Sequence, residues 1–236
     1  MNWFYSLIKG RSSAGRNEKL LRYQTLRRLG RAYNVSLIKQ LPASALPEAA
    51  KKLGLTKAGT IVINQDDEIA IAYDYCLHHH RPAASSIIDR TRENNPPEQD
   101  SDEWVYLKAL SAARFSLFRI LEILPHEGAR LMNLLTETPQ SIMDMSLSST
   151  ATPGTILAGR ILDFDDFSMS SGSLIPVPEV VFERRIQPVI HTFMPVIPVE
   201  RLDLSPARRA AFEAQVLRIA LHAEEEVGFY TDIETG

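Results

Sequence analysis

The chain is predicted to be an α+β protein with a helical N-terminal region, a small antiparallel β-barrel in the middle and a C-terminal helix. Three observations predict it. Residues 17–33 and 44–53 carry apolar side chains at helical spacing. Phe115 to Val177 is a run of short apolar segments, each closed by Pro or Gly turn chemistry, which is the pattern of a small barrel. Ser205-Pro206 joins a capping residue to a proline at the first helical position.

The elements follow in order. Asn17 can cap the first helix, whose Leu20, Leu21, Leu26 and Leu29 are expected to face the body. Ser44 can cap the second, and Gly54 stops it. Gly59 to Ile63 is brief and β-branched. Asn64 to Asp67 then opens a helix through His80, with Ile69, Tyr73, Cys76 and Leu77 on one side; the acidic start favours this over a hairpin of Ile61, Ile63, Ile69 and Ile71. Ser85 to Glu93 holds a further turn or two of helix. Asp102 is expected to cap a helix carrying Trp104, Leu107 and Leu110, with a break near Ala113 before a β-rich segment. Barrel strands are then expected at 115–121, 129–135, 141–147 and 155–162, with a break at Thr138-Pro139. Leu117, Phe118, Ile120, Leu131, Ile142, Ile156, Leu157 and Ile161 should share one core. Prolines 178, 188, 195 and 198 forbid one regular helix over 178–200, and the last helix should reach about His222.

The polar, proline-paired segment Asn94 to Asp102 reads as a linker. It divides the chain into a helical domain with a basic arm (1–98), a helix plus barrel (99–180) and a proline-rich connection with the C-terminal helix (181–236).

With 236 residues, 44% hydrophobic and 23% charged, the chain has the composition of a globular protein with a real core. No apolar run approaches the roughly 18–20 residues that cross a bilayer. Cys76 is the only cysteine, so no intramolecular disulfide forms and a cytoplasmic setting is expected. The net charge of −3 conceals a division: residues 1–40 hold nine basic residues against Glu18, or +8, and the remainder holds −11. Such an arm can meet nucleic acid through Arg16, Arg22, Arg27, Arg28 and Arg31, or fold back onto its own acidic body.

Few residues suggest chemistry. Consecutive helical positions of His78-His79-His80 point about 100° apart, so the three cannot share one ion. Asp74 with His78, four residues apart, is the tidier metal pair, completed by Asp89, His191 or His222. An exposed histidine cluster at a helix end is the simpler account. Asp163-Phe164-Asp165-Asp166 lacks the alternating ligands of a calcium loop and reads as a hairpin tip. Glu224-Glu225-Glu226 reads as a solvated helix end. Ser170-Ser171-Gly172-Ser173 is no nucleophile elbow, phosphate and dinucleotide loops are absent, and Cys76 on an apolar helix side reads as a buried, inert thiol.

Four phrases, 49–55 (AAKKLGL), 73–77 (YDYCL), 113–119 (ARFSLFR) and 153–160 (PGTILAGR), resemble an uncharacterised bacterial protein family with no assigned activity, over about 16–180. The resemblance implies a helical front, a strand-rich middle and bacterial origin, and carries no catalytic residue. The functional expectation is a non-enzymatic binding or adaptor protein without a cofactor, its partner a protein. The alternatives are weak nucleic-acid binding through the arm and a metal-dependent enzyme centred on Asp74 and His78.

Overall fold

The computed structural model describes residues 3–82, 85–198 and 204–223, with side chains from residue 15 onward except that of Asp66. The expected cluster Glu224–Glu226 lies outside the described residues. Helix α1 runs over Trp3–Ile38 and α2 over Ala45–Leu53. Gly54 ends α2 at φ 78°, a left-handed angle that a side chain would strain. Ser44 stands before α2 but makes no side-chain cap. Strands β1 (Thr56–Lys57) and β2 (Thr60–Ile61) form a small ribbon, followed by α3 (Asp66–His79) in place of the rival hairpin. Helix α4 (Ile87–Asn94) starts with a capping box of Ser86 and Asp89. Helix α5 (Asp102–Ala112) is capped by Ser101, one residue before the expected Asp102, because the Ser101 side chain accepts from the Trp104 amide.

The break at Ala113 falls as expected, and strand β3 (Arg114–Leu124) follows. It pairs with β4 (Gly128–Asn133), which pairs with β5 (Thr138–Met143). Pro139 lies inside β5 rather than ending a strand, because β5 is an edge strand and needs no amide there. Strand β5 stops at Met143, short of the expected Leu147, which instead opens the short helix α6 (Leu147–Thr150). Strand β6 (Ile156–Asp163) lies on the other side of β3 and carries both β7 (Ser168–Ser170) and β8 (Ile175–Val177). Asp163 to Asp166 is the expected hairpin tip between β6 and β7.

The sheet order is β5-β4-β3-β6-β7. A bulge at Leu121 shifts the β3–β4 register and bends the strand. The sheet curls into a half-barrel, and β5 and β7 approach each other without pairing. The expected barrel is therefore open.

The eight residues expected to share a core are all buried, yet they divide between two faces. Phe118, Ile120, Leu131, Ile142, Leu157 and Ile161 line one face with Leu147 of α6. Leu117 and Ile156 lie on the other. Strand alternation dictates the split: Leu117 and Phe118 are adjacent and must point oppositely.

Two clusters cover the second face. Leu117, Ile156 and Ala158 pack under α2, α3 and α9 (Pro206–Leu221), together with α7 (Glu179–Val181), a π-helical turn (Phe182–Ile186) and α8 (Gln187–Phe193). Residues 179–193 thus form a helical stretch with a π-helical turn inside it, and it ends before Met194. Leu162 and Met169 pack instead under α1, α4 and α5. This second cluster draws on both sides of the 94–102 segment.

Helix α1 buries Tyr23, Leu26 and Leu37, with Leu20 and Leu29 half-buried. Leu21, expected inward, is 64% exposed, and Ile69 of α3 also faces solvent. Gly30 brings α1 close to α5, since a Cβ there would stand 2.3 Å from the Tyr106 ring.

Truncating Leu157 to Ala is expected to destabilise the fold by about 2–5 kcal/mol. Leu21→Ala should stay within about 0.5 kcal/mol of wild type. Urea denaturation midpoints check both, and equal losses would contradict the assignment of Leu21 to the surface.

Candidate functional site: the open seam of the half-barrel

The gap between β5 and β7 leaves polar groups that the sheet does not satisfy. Asp144 follows β5, and Ser170 ends β7. The Ser170 hydroxyl donates to Asp144 Oδ2 at 2.6 Å across the gap. Arg27 of α1 completes the bridge. Its Nη2 donates to Asp144 Oδ2 at 3.2 Å and to Ser170 Oγ at 3.0 Å, and its Nη1 donates to the Ser170 carbonyl. Asp144 Oδ1 accepts from the Leu147 amide at 3.1 Å, which fixes the start of α6. Tyr23 lies one helical turn before Arg27 and sets its ring edge-on to Phe167 at 6.1 Å. Helix α1 is thus clipped along the seam.

A cavity lies at each side of the clip. One, of about 560 Å³, lies between the start of α1 and the sheet, where Arg16, Lys19 and Leu20 face His126, Ile142 and the stacked rings of Phe164 and Phe167. The other, of about 320 Å³, lies between α1, α3 and the loop after β7. Arg27, Arg31 and Asn34 line it from α1, Tyr73 and Asp74 from α3, and Ser171 to Ser173 from the loop.

Behind Asp74 stands a buried charge cluster. Alternation along β6 points Ala158, Arg160 and Leu162 toward the helices, and Arg160 falls at the join of the two helix-side clusters. Its guanidinium is 1% exposed and stands 6.0 Å from the Phe115 ring, its cross-strand partner. Arg160 Nε donates to Asp74 Oδ2 at 2.9 Å, and Nη2 pairs with Glu213 Oε1 of α9. Glu213 is fully buried, and its Oε2 lies 2.7 Å from His79 Nε2. A carboxylate only accepts, so His79 Nε2 carries the hydrogen of that bond; the Arg160 Nη2 contact to the same nitrogen at 3.3 Å is then no hydrogen bond.

These positions set the proton affinities. Burial alone would raise the Glu213 carboxyl, but Arg160 and then His79 hold it below the ordinary value. Burial outweighs Arg160 at Asp74 and raises it. Burial, with Arg160 nearby, holds His78 well below the ordinary histidine value, so its ring is neutral. Cys76 is buried, donates to the Ala45 carbonyl at 3.3 Å, and burial pushes its thiol up to about 12, which leaves no nucleophilic thiolate.

The predicted site residues disperse. Arg16 pairs with Glu127 at 2.9 Å, Arg22 pairs with Asp102, and Arg27 forms the clip. Arg28 and Arg31 are exposed and make no ion pair among the described residues. Asp74 is engaged by Arg160, and among the described residues no group of three His, Cys, Asp or Glu side chains is placed to hold a metal. The expectation of an exposed histidine cluster is corrected. His78 and His79 are buried, because the end of α3 packs beneath the sheet and α9, with Tyr75 4.8 Å from the His79 ring. Sequence reasoning missed Arg160, Glu213, Asp144 and Ser170. A single charge inside an apolar strand, and a glutamate between Phe212 and Ala214 at helical spacing from Val216 and Ala220, were the available signals.

The fold and seam define an α+β protein built on a curled, open half-barrel whose gap is covered by a helix. The chain belongs to a family of unknown function, DUF7986, whose model matches residues 17–190. It matches no curated protein and no solved structure.

Glu213→Gln is expected to destabilise the fold by about 3–5 kcal/mol, since it leaves Arg160 buried with one carboxylate fewer. The depressed Glu213 value stabilises the fold above its ordinary value of 4.5, and that contribution is lost as pH falls through the folded value. Asp74, raised in part by Glu213, works in the opposite sense and offsets part of this effect. Denaturation across pH 3–7 should show the difference between wild type and variant shrinking with acid, and a constant difference would contradict the pairing. In NMR titrations the His78 ring should stay neutral through the ordinary histidine value of 6.5. A normal titration of that ring would contradict its burial.

Proposed function

We propose that the chain is a non-enzymatic binding protein that holds its ligand in the open seam of the half-barrel, beneath α1. One observation carries this reading: the gap between β5 and β7 is bridged by a single polar clip and flanked by two cavities of about 560 and 320 Å³, both within the range of small-molecule sites. The mouth of a curled sheet is a common place for ligands, and a rigid sheet with a covering helix suits capture and release. The same residues offer poor support for catalysis. The buried thiol is protonated, His78 is neutral and encased, and Glu213 is locked onto Arg160 and His79.

The nucleic-acid alternative draws less support. Of the five arginines that would meet phosphates, three are engaged by the body, and the two that make no ion pair among the described residues support only weak, salt-sensitive contact. The adaptor role would use the outer side of α1, where Leu21 and Val35 stand exposed beside Arg28, and its partner would be a protein. A reducing, cytoplasmic setting agrees with the lone, buried cysteine.

A metabolite library screened by thermal shift, followed by hydrogen exchange on each hit, tests this function. At about a hundredfold excess over Kd, a seam ligand should add about 2.7 kcal/mol of stability. It should protect residues 16–34 and 168–173 and be recovered unchanged. Conversion of the hit to product, or protection confined to other segments, would overturn the reading.

A further inference from the structure

The 320 Å³ cavity has an uneven charge inventory. It takes three charged side chains, Arg27, Arg31 and Asp74, into its wall. Arg27 is committed to Asp144 and Ser170. Arg31 follows one turn later, four residues on, and so stands on the same side of α1. It is exposed and makes no ion pair among the described residues. Asp74 spends Oδ2 on Arg160 Nε, while its Oδ1 accepts no hydrogen bond among the described residues. One cationic donor and one anionic acceptor are therefore left over in the same small space.

We propose that this cavity binds a small zwitterion of the α-amino-acid type, with its carboxylate on Arg31 and its ammonium on Asp74. The inference rests on the seam reading and names a ligand for one of its two cavities. A plain anion here would meet the Asp74 carboxylate, and a plain cation would meet Arg27 and Arg31. A molecule bearing both charges satisfies both leftover groups, and a guanidinium fork matches a carboxylate. Burial raises the proton affinity of Asp74, and an ammonium ion brought beside Oδ1 favours the carboxylate as Arg160 does at Oδ2. Further polar capacity comes from Ser171, whose Oγ is buried without a hydrogen-bond partner among the described residues. Leu77, Tyr106 and Met169 offer an apolar wall for the ligand's own side chain. The volume lies at the low end of the range for small-molecule sites, which suits a single amino acid.

Isothermal titration of the full chain tests the assignment. The probes are the twenty amino acids one at a time, the deamino and decarboxy analogue of each hit, and inorganic phosphate. At least one amino acid should bind, and each analogue should bind about tenfold or more weakly, the loss expected for one charged hydrogen-bonding contact. Arg31→Ala should weaken binding by a similar factor without unfolding the chain, because Arg31 is exposed and outside the clip. Ala70→Phe, on the solvent side of α3 at the cavity wall, should obstruct the site by bulk alone. Phosphate or a deamino analogue binding as well as the amino acid would overturn the zwitterion while leaving the seam reading in place. The same holds if no amino acid binds and a ligand of another chemistry protects residues 168–173. Amino-acid binding untouched by both variants would overturn the site. If no probe or library compound engages residues 16–34 or 168–173, both readings fall together.

Discussion

An antiparallel sheet that curls without closing leaves two strands facing each other across a gap, and that constraint organises this protein. Unpaired edges cost free energy when buried and invite foreign pairing when exposed. Here β5 and β7 are the facing strands, and the gap between them is filled by side chains: Asp144 and Ser170 reach across it, and Arg27 of α1 binds both. The helix that covers the seam therefore belongs to the closure of the sheet. Three basic residues of the N-terminal region, Arg16, Arg22 and Arg27, meet carboxylates of its own acidic body. Exposed pairs such as Arg16–Glu127 contribute about 0–1 kcal/mol each. The buried face of Tyr23, Leu26 and Leu37 and the sheltered Arg27 clip hold α1 in place.

The Arg160 cluster performs a second, separate task. It sits where the two helix-side clusters meet and ties α3 and α9 to β6. A buried ion pair is weak support for stability, because an apolar replacement of like volume often does as well. Its stronger effect is directional. Helices α3 and α9 can slide on an apolar sheet at small cost, but a guanidinium enclosed by Asp74 and Glu213 accepts one placement. Since Asp74 also lines the smaller cavity, the cluster positions one wall of the candidate site.

Much of the fold was legible in the chain because local signals agreed with the outcome. The Gly54 stop, the Ser205-Pro206 start, the break at Ala113 and the β6–β7 hairpin tip each follow from capping or turn chemistry that acts within a few residues. Features set by distant partners were misread. Leu21 carries the same apolar side chain as Leu26, and only the position of the body decides which is buried. Pro139 signals a break, yet it is tolerated because β5 has a free edge. The triple histidine looks like a solvated helix end until α9 brings Glu213 against it. The candidate site was the least legible part, since Arg27, Asp144 and Ser170 are joined across 117 and 143 residues of sequence. A buried arginine in an apolar strand and a glutamate on an apolar helix face were signals in plain view, but their pairing depends on tertiary structure.

Hydrogen exchange on Arg27→Ala tests whether α1 closes the seam through Arg27. Removing the guanidinium leaves Asp144 and Ser170 facing each other with no cation between them, while the core of β3, β4 and β6 is untouched. Amide protection is expected to fall along residues 16–34 and 144–150 and at β7, with the central strands retaining theirs. Unchanged protection of α1 in that variant would show that the helix is held by its apolar face alone, and would contradict closure of the seam through Arg27.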